Sequence, residues 1–278
     1  LLDADTDCIG SDMLSLCRNL ELQEILTKAL HGEQGENTIR LHGESYQIDA
    51  DPIISENMVK GAALFFFNVT EKEKAEQMRR EFTANVSHEL KTPLHSISGY
   101  AELLKNDMVK DDDKIPFAGK IYDEAGRMIR LVEDIISLSR LDEGADDMRR
   151  ENIDLYVLAD KAVQSLEPQA EAAGVSLKLT GVSAVLTGVP HLLYSVIYNL
   201  CDNAIKYNHK NGKVTVNIQN ESSTVVLSVQ DTGIGIAPEH QERIFERFYR
   251  VDKSHSKAVG GTGLGLSIVK HSVKINHA

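Results

Sequence analysis

Two consecutive stretches of helical periodicity, about Glu71 to Asp107 and about Ile115 to Leu141, constrain this chain more than any other feature. The first places Phe82, Val86, Leu90, Leu94, Ile97 and Leu104 near helical spacing, interrupted only by Pro93, where a bend is expected. In the second, Ile121, Ala125, Met128, Val132 and Ile135 follow one another at heptad spacing. The Asp111-Asp112-Asp113 run is expected to break the pattern between them. At a rise of about 1.5 Å per residue the rods would be roughly 55 and 40 Å long, and two such rods cannot enclose an apolar stripe between them. The expected remedy is an antiparallel helical hairpin that dimerises into a four-helix bundle.

The flanking sequence has a different rhythm. Leu14, Leu16, Leu20, Leu22, Ile25, Leu26 and Leu30 favour a helix over about Ser11 to His31. Thr38–Leu41, Ser45–Ala50 and Val59–Val69 then read as strands, with Gly43 and Asp51-Pro52 as turn signals. Beyond an acidic linker around Asp142 to Asp147, helix is expected at about Leu155–Ala173 and Pro190–Lys206. Strands are expected at Val175–Leu179 and Ala184–Thr187, followed by a hairpin of Gly212–Gln219 with Thr224–Gln230. A last helix opens near Gly263. That alternation describes a two-layer α/β sandwich with helices on one face of a mixed sheet, and the whole chain reads as multidomain α+β.

The 278 residues are 42% hydrophobic, enough for more than one core. A formal net charge of −12 argues against a chain that wraps nucleic acid, which needs a basic face. Cys8, Cys17 and Cys201 lack metal-ligand spacing and read as small hydrophobes in a reducing compartment. The apolar run Ala62 to Phe67 is far too short to cross a bilayer.

Several clusters carry chemistry. In Ser87–Leu94, SHELKTPL, a histidine stands beside a carboxylate that can take a ring proton while the other nitrogen attacks; the competing reading is a solvated helix histidine. Thr92 follows His88 by one turn on the same face. Asn199, Asp202, Asn203 and Lys206 share a helix face, and asparagine carbonyls are hard ligands suited to a Mg²⁺ that also holds phosphates; a polar helix end is the alternative. Asp231-Thr232-Gly233-Ile234-Gly235 follows a strand, where a carboxylate can enter a pocket and glycines let backbone approach a planar ligand, or where a simple turn sits. Gly260-Gly261-Thr262-Gly263-Leu264-Gly265 opens a helix and so offers amide donors to phosphate. It lacks the lysine of a P-loop, and no strand precedes it as in a dinucleotide fingerprint.

SHELKTPL, NLCDNAIKYN, DTGIGI, IFERFYRVDKS and GGTGLGLSIVK, in this order, closely resemble the H, N, first glycine, F and second glycine boxes of bacterial sensor histidine kinases of two-component systems. The general look is that of the phosphate-regulon or cell-wall sensor type. The resemblance implies three parts: a partial PAS-like sensor piece over 1–70, a dimerisation and phosphotransfer hairpin over 71–144, and a Bergerat-type (GHKL-like) ATP-binding domain over 145–278. It makes His88 the phosphoacceptor, Glu89 its general base, and Thr92 the residue that positions water in a phosphatase reaction. Asn203 becomes the Mg²⁺ ligand, with Asn199, Lys206 and Tyr207 lining the triphosphate and Asp231 accepting from the adenine amino group. Gly233 and Gly235 shape the base pocket, while Gly261, Thr262, Gly263, Leu264 and Gly265 resemble the hinge and phosphate-contacting part of a mobile lid. Phe245, Phe248 and Arg250 occupy the F-box positions, Arg250 as a candidate for reaching the transferred phosphate.

The implied activity is ATP-dependent autophosphorylation of His88, then transfer to an aspartate on the receiver domain of a response regulator. The implied setting is a homodimer forming the cytoplasmic portion of a bacterial plasma-membrane protein, with the membrane reached only through segments absent from this chain. In the family the catalytic domain continues with further strands, so a chain ending at Ala278 is expected to leave apolar sheet surface and an edge uncovered. Two rivals stand beside this reading. An ATPase of the gyrase and Hsp90 type shares the nucleotide fold, but here Asn199 stands where a water-activating Glu would be expected. A dimeric scaffold with a degenerate nucleotide site is disfavoured by the intact Asn203, Asp231 and lid glycines.

Overall fold

The computed structural model describes residue 9 and residues 19–142, 148–222, 224–251 and 261–276. Cys8, Cys17, the first turns of the helix expected from Ser11, most of the acidic linker, Gly260 and the end of the F-box motif lie outside the described residues. The chain divides into two compact units, 1–84 and 85–278.

In the first unit, helix α1 (Leu20–Leu30) is capped by Asn19, whose side chain accepts from the Leu22 amide. It lies on a three-stranded antiparallel sheet of β1 (Gly35–Leu41), β2 (Glu44–Ser55) and β3 (Met58–Asn68), in the order β1-β2-β3. Leu22, Ile25 and Ala29 of α1 meet Ile39, Tyr46, Ile48 and Ala50, the alternate residues of two strands, in one core. The expected turn at Asp51-Pro52 is not there. Both residues lie inside β2, paired with Ala63 and Ala62, and the chain reverses instead at Glu56 and Asn57, both left-handed. Pro52 is tolerated because β1 pairs with β2 only as far as Ala50, so no strand there needs its missing N–H.

Helix α2 (Thr70–Lys105) starts in the first unit and continues into the second, with Pro93 buried in its interior. Helix α3 (Asp111–Asp142) runs back antiparallel to it: Glu89 lies beside Arg127, and the Tyr100 and Phe117 rings meet edge to face at 5.4 Å. The aspartate run does not break the pattern; it forms the first turn of α3, where carboxylates favour the positive end of the helix dipole. The reversal falls just before it, with Asp107 left-handed and Lys114 tying Asp107 to Asp111 at 2.8 and 2.7 Å. In this single chain the heptad seam is only half buried and Val132 is exposed. A second stripe of α3, Leu131, Leu138 and Leu141, is fully covered.

The remainder is an α/β layer. Strand β4 (Glu151–Asp154), which the sequence pattern did not reveal, pairs antiparallel with β6 (Val185–Gly188). Only Ile153 of its four residues is buried, too little to register as an alternation. Strands β5 (Ser176–Gly181), β7 (Lys213–Glu221) and β8 (Thr224–Asp231) make a mixed sheet, β5 parallel to β7 and β7 antiparallel to β8. Helices α4 (Leu155–Ala173) and α5 (Pro190–Lys206) cover it through Ala159, Leu166, Ile197, Cys201 and Ile205, against Val214, Val216 and Ile218. A short helix α6 (Pro238–Gln241), a 3₁₀ turn (Arg243–Phe245) and helix α7 (Gly265–Asn276) complete the described chain. Helix α7 packs on both α5 and the hairpin helix α3.

Candidate functional site

His88 projects from α2 with three quarters of its side chain exposed, as a group that must meet a second reactant requires. Its Nδ1 lies 3.9 Å from Glu89 Oε1. The other oxygen, Glu89 Oε2, accepts from Arg250 at 3.0 Å and has the Arg127 guanidinium at 3.7 Å. The carboxylate is thus divided, one oxygen toward the imidazole and the other neutralised by arginines from α3 and from the F-box segment. Because Nδ1 faces the carboxylate, Nε2 is the nitrogen left outward for attack. The Thr92 hydroxyl donates to the His88 carbonyl at 3.2 Å, which fixes it one turn below the ring.

The second half of the site forms around the end of α5. The carbonyl of Tyr207, the residue that closes this helix, accepts from the Ile234 amide at 3.1 Å and draws the turn after β8 against α5. A Cβ at Gly233 would stand 2.4 Å from that carbonyl, so the approach requires glycine there. The Gly233 amide donates to Asp231 Oδ1 at 2.7 Å, orienting an exposed carboxylate at the strand end. Gly235 is left-handed. Asn203 and Asn199 are half buried on α5, and the Asn199 amide nitrogen is spent on Ser195, leaving its oxygen facing Gly265. Lys206 is held by Asp202 at 2.5 Å, itself braced by Gln169 at 2.8 Å. Burial pushes the Tyr207 phenol above its ordinary range, so it stays a neutral donor beside Gly261.

The F-box and glycine-loop residues form the third side. Phe248 adopts a left-handed conformation and donates its amide to the Gly263 carbonyl at 2.9 Å, binding the two segments together. Arg250 is almost fully buried, and its Nε, 3.3 Å from where a Gly263 side chain would begin, has no hydrogen-bond partner among the described residues. A buried guanidinium N–H without an acceptor, beside a glycine loop, suits an anionic ligand. Thr262 accepts from the Leu264 amide at 3.3 Å, Leu264 is wholly buried, and Phe245 is partly exposed. The donors here are amides, hydroxyls and arginine, with half-buried asparagine oxygens on α5. They fit a nucleotide triphosphate with a hard divalent ion better than a protein-only metal cage, and no cluster of three acidic, histidine or cysteine ligands occurs among the described residues.

The structure therefore joins the residues read from sequence in two groups, linked by Arg250 on Glu89. It also recruits residues the sequence reading missed. The Thr262 hydroxyl donates to Asp134 on α3 at 2.7 Å. Arg247 donates to Asp142 at 2.6 Å and to His271 at 3.3 Å, whose Nδ1 is occupied by the Ser267 carbonyl. A signal for Asp134 was present: it stands three residues after Leu131 and four before Leu138, an acid inside a buried leucine stripe.

Comparison with known proteins bears on both groups. Residues 78–144, with His88 among them, match the His Kinase A (phospho-acceptor) domain. Residues 188–278 match the histidine kinase-, DNA gyrase B-, and HSP90-like ATPase family. The sensor protein kinase WalK of Staphylococcus aureus is 34% identical over 99% of this chain and 67% of its own length. In WalK of strain JH9 the same identity covers 46% of the relative's length. Among solved structures, Acinetobacter baumannii histidine kinase AdeS is 24% identical with a TM-score of 0.56, covering 68% of this chain and 86% of that one. Histidine kinase ThkA, solved in complex with response regulator protein TrrA, is 19% identical with a TM-score of 0.53, covering 92% of this chain and 80% of that one. These two likenesses bear on the fold.

Proposed function

This chain belongs to the two-component sensor histidine kinases, and from that premise we propose that its own residues carry out ATP-dependent phosphorylation of His88. The observation that carries the reading is the Arg250–Glu89 contact at 3.0 Å, which brings the nucleotide half of the site to the residue next to the acceptor. His88 Nε2 attacks the γ-phosphorus of ATP, the bond to the β–γ bridging oxygen breaks, and ADP leaves. The imidazole proton on Nδ1 passes to Glu89 Oε1. Asp231 orients the base, Gly233 and Gly235 let it approach, and Tyr207, Thr262 and Arg250 donate to the triphosphate. Asn203 is the residue that would hold Mg²⁺, which when bound supplies neutralising charge on the phosphates. Catalysis in this scheme is positioning and charge compensation.

The same reading extends to partners. The half-buried heptad seam of α3 supports a homodimer in which a second hairpin completes a four-helix bundle. The exposed phosphohistidine is then open to the receiver domain of a response regulator, with Thr92 one turn away to position water for hydrolysis of the partner's phosphoaspartate. The helix-on-sheet unit before α2 fits the C-terminal part of a PAS-like sensor. No helix of the described residues is long and apolar enough to cross a membrane; it is the family reading that makes this portion the cytoplasmic part of a longer, membrane-attached sensor.

The test is incorporation of label from γ-labelled ATP with Mg²⁺ into the chain and into His88→Gln. Acid-labile, alkali-stable label that disappears in the variant is expected. Label that persists in His88→Gln would reject His88 as the acceptor, and none in either chain would reject autophosphorylation by this chain.

A further inference from the structure

Three hairpin carboxylates hold the ATP-binding layer, and two of their partners are donors that the proposed function assigns to the nucleotide. Glu89 takes Arg250, Asp134 takes Thr262, and Asp142 takes Arg247. Asp134 is the most informative of these. It sits in the covered leucine stripe of α3, accepts the Thr262 hydroxyl at 2.7 Å, and lies close enough to Lys206 to feel its charge. Threonine hydroxyl and lysine ammonium are the donors a phosphate oxygen would select, and a carboxylate oxygen is chemically the nearest side-chain equivalent. From this juxtaposition, and resting on the ATP-binding reading above, we infer that Asp134 stands in for a phosphate oxygen on Thr262 and so sets nucleotide affinity by competing with the triphosphate.

The surroundings support the assignment. Burial is the chief influence on Asp134 and pushes its carboxyl above the ordinary range, followed by the opposing hydrogen bond from Thr262 and the Lys206 charge, with Asp202 and Glu133 as nearby acids. A carboxylate so desolvated gains from any donor it can hold, and releasing Thr262 to a ligand returns Asp134 to water. Glu89 holds one Arg250 N–H, and the Arg250 Nε, without a partner among the described residues, remains for the ligand. Competition is reciprocal: the hairpin contacts weaken nucleotide binding by the factor by which bound nucleotide weakens the contacts, so loosening them tightens nucleotide binding. Asp142 separates this from local charge, because its partners Arg247 and His271 are not nucleotide donors. It can act on affinity only through the shared docking of the two parts.

The experiment measures, by titration calorimetry, the affinity of ATP with Mg²⁺ for the whole chain in a His88→Gln background, which prevents turnover. Asp134→Asn is expected to tighten binding by roughly tenfold, within the usual range of coupling between sites. Glu133→Gln removes the same charge from the neighbouring exposed residue and is expected to change nothing. Unchanged or weaker binding in Asp134→Asn, or equal tightening in Glu133→Gln, would overturn the inference. Should Asp134→Asn not fold, as judged by its melting curve, Asp142→Asn decides: severalfold tighter binding supports competition and unchanged binding refutes it. Absence of nucleotide binding in every chain, Asp134→Asn included, would remove the ATP-binding reading and this inference together. Binding that is present but insensitive removes this inference alone.

Discussion

Gly233 has no room for a side chain, since a Cβ there would lie 2.4 Å from the Tyr207 carbonyl oxygen and 2.9 Å from Asp231 Oδ1. The obstacle includes backbone, so an added methyl displaces the turn that aims Asp231. Gly233→Ala is therefore expected to weaken binding of ATP with Mg²⁺ by about tenfold, equivalent to about 1.4 kcal/mol, while the core of α4, α5 and β7 keeps its far-ultraviolet signature. An unchanged dissociation constant would show that the turn does not frame the base. At this scale the candidate site is read from the sequence by residue type and spacing at His88, Asn203, Asp231 and the glycines. Asp134 and Asp142 do not, because their roles depend on partners more than a hundred positions away. Arg127 was hidden similarly, as one arginine among several on a charged helix until the hairpin closed it on Glu89.

Helix α4 shows how an element is fixed by its ends. Asp154 accepts the Tyr156 amide at 2.9 Å and the Ser183 hydroxyl at 2.6 Å, and Gly174 closes the helix in the left-handed conformation. The Ser183 hydrogen bond chiefly holds the Asp154 carboxyl below its ordinary range. With the folded value depressed, its contribution to stability is complete above the ordinary aspartate range and is lost as pH falls through the folded value. Asp154→Asn keeps a capping oxygen but cannot titrate, so its melting temperature is expected to fall less steeply over that acid window. Parallel melting profiles for the two chains would reject the assignment. The caps and the proline opening α5 made these helices readable to the residue. Where local signals conflicted with pairing they misled: the Asp51-Pro52 pair looks like a turn and is strand, and Asp111–Asp113 look like a break and are a helix start. Strand β4 carries so little apolar surface that only its pairing with β6 defines it.

At the scale of the molecule, α2 is, among the described residues, the continuous element that belongs to both compact units. If a sensory input reaches His88, the helix between Glu71 and Arg80 is its covalent route. One residue inserted after Glu76 turns everything before it by about 100° relative to His88, whereas seven residues make close to two full turns. The single insertion is expected to change labelling of His88 severalfold and the seven-residue insertion to restore it; equal labelling in both would exclude helix phase as the signal. The same helix holds a further consequence. Pro93 has no N–H to give to the carbonyl four residues before it, and that carbonyl belongs to Glu89. The rod that presents His88 is therefore missing one rung of its ladder at Glu89, the base in the proposed reaction. Thr92, back-bonded to His88, splints the neighbouring turn. His88 thus rides on a knuckle: the rod can flex beneath the imidazole without unwinding, so a small change of tilt re-aims the ring while both ends of the helix stay intact.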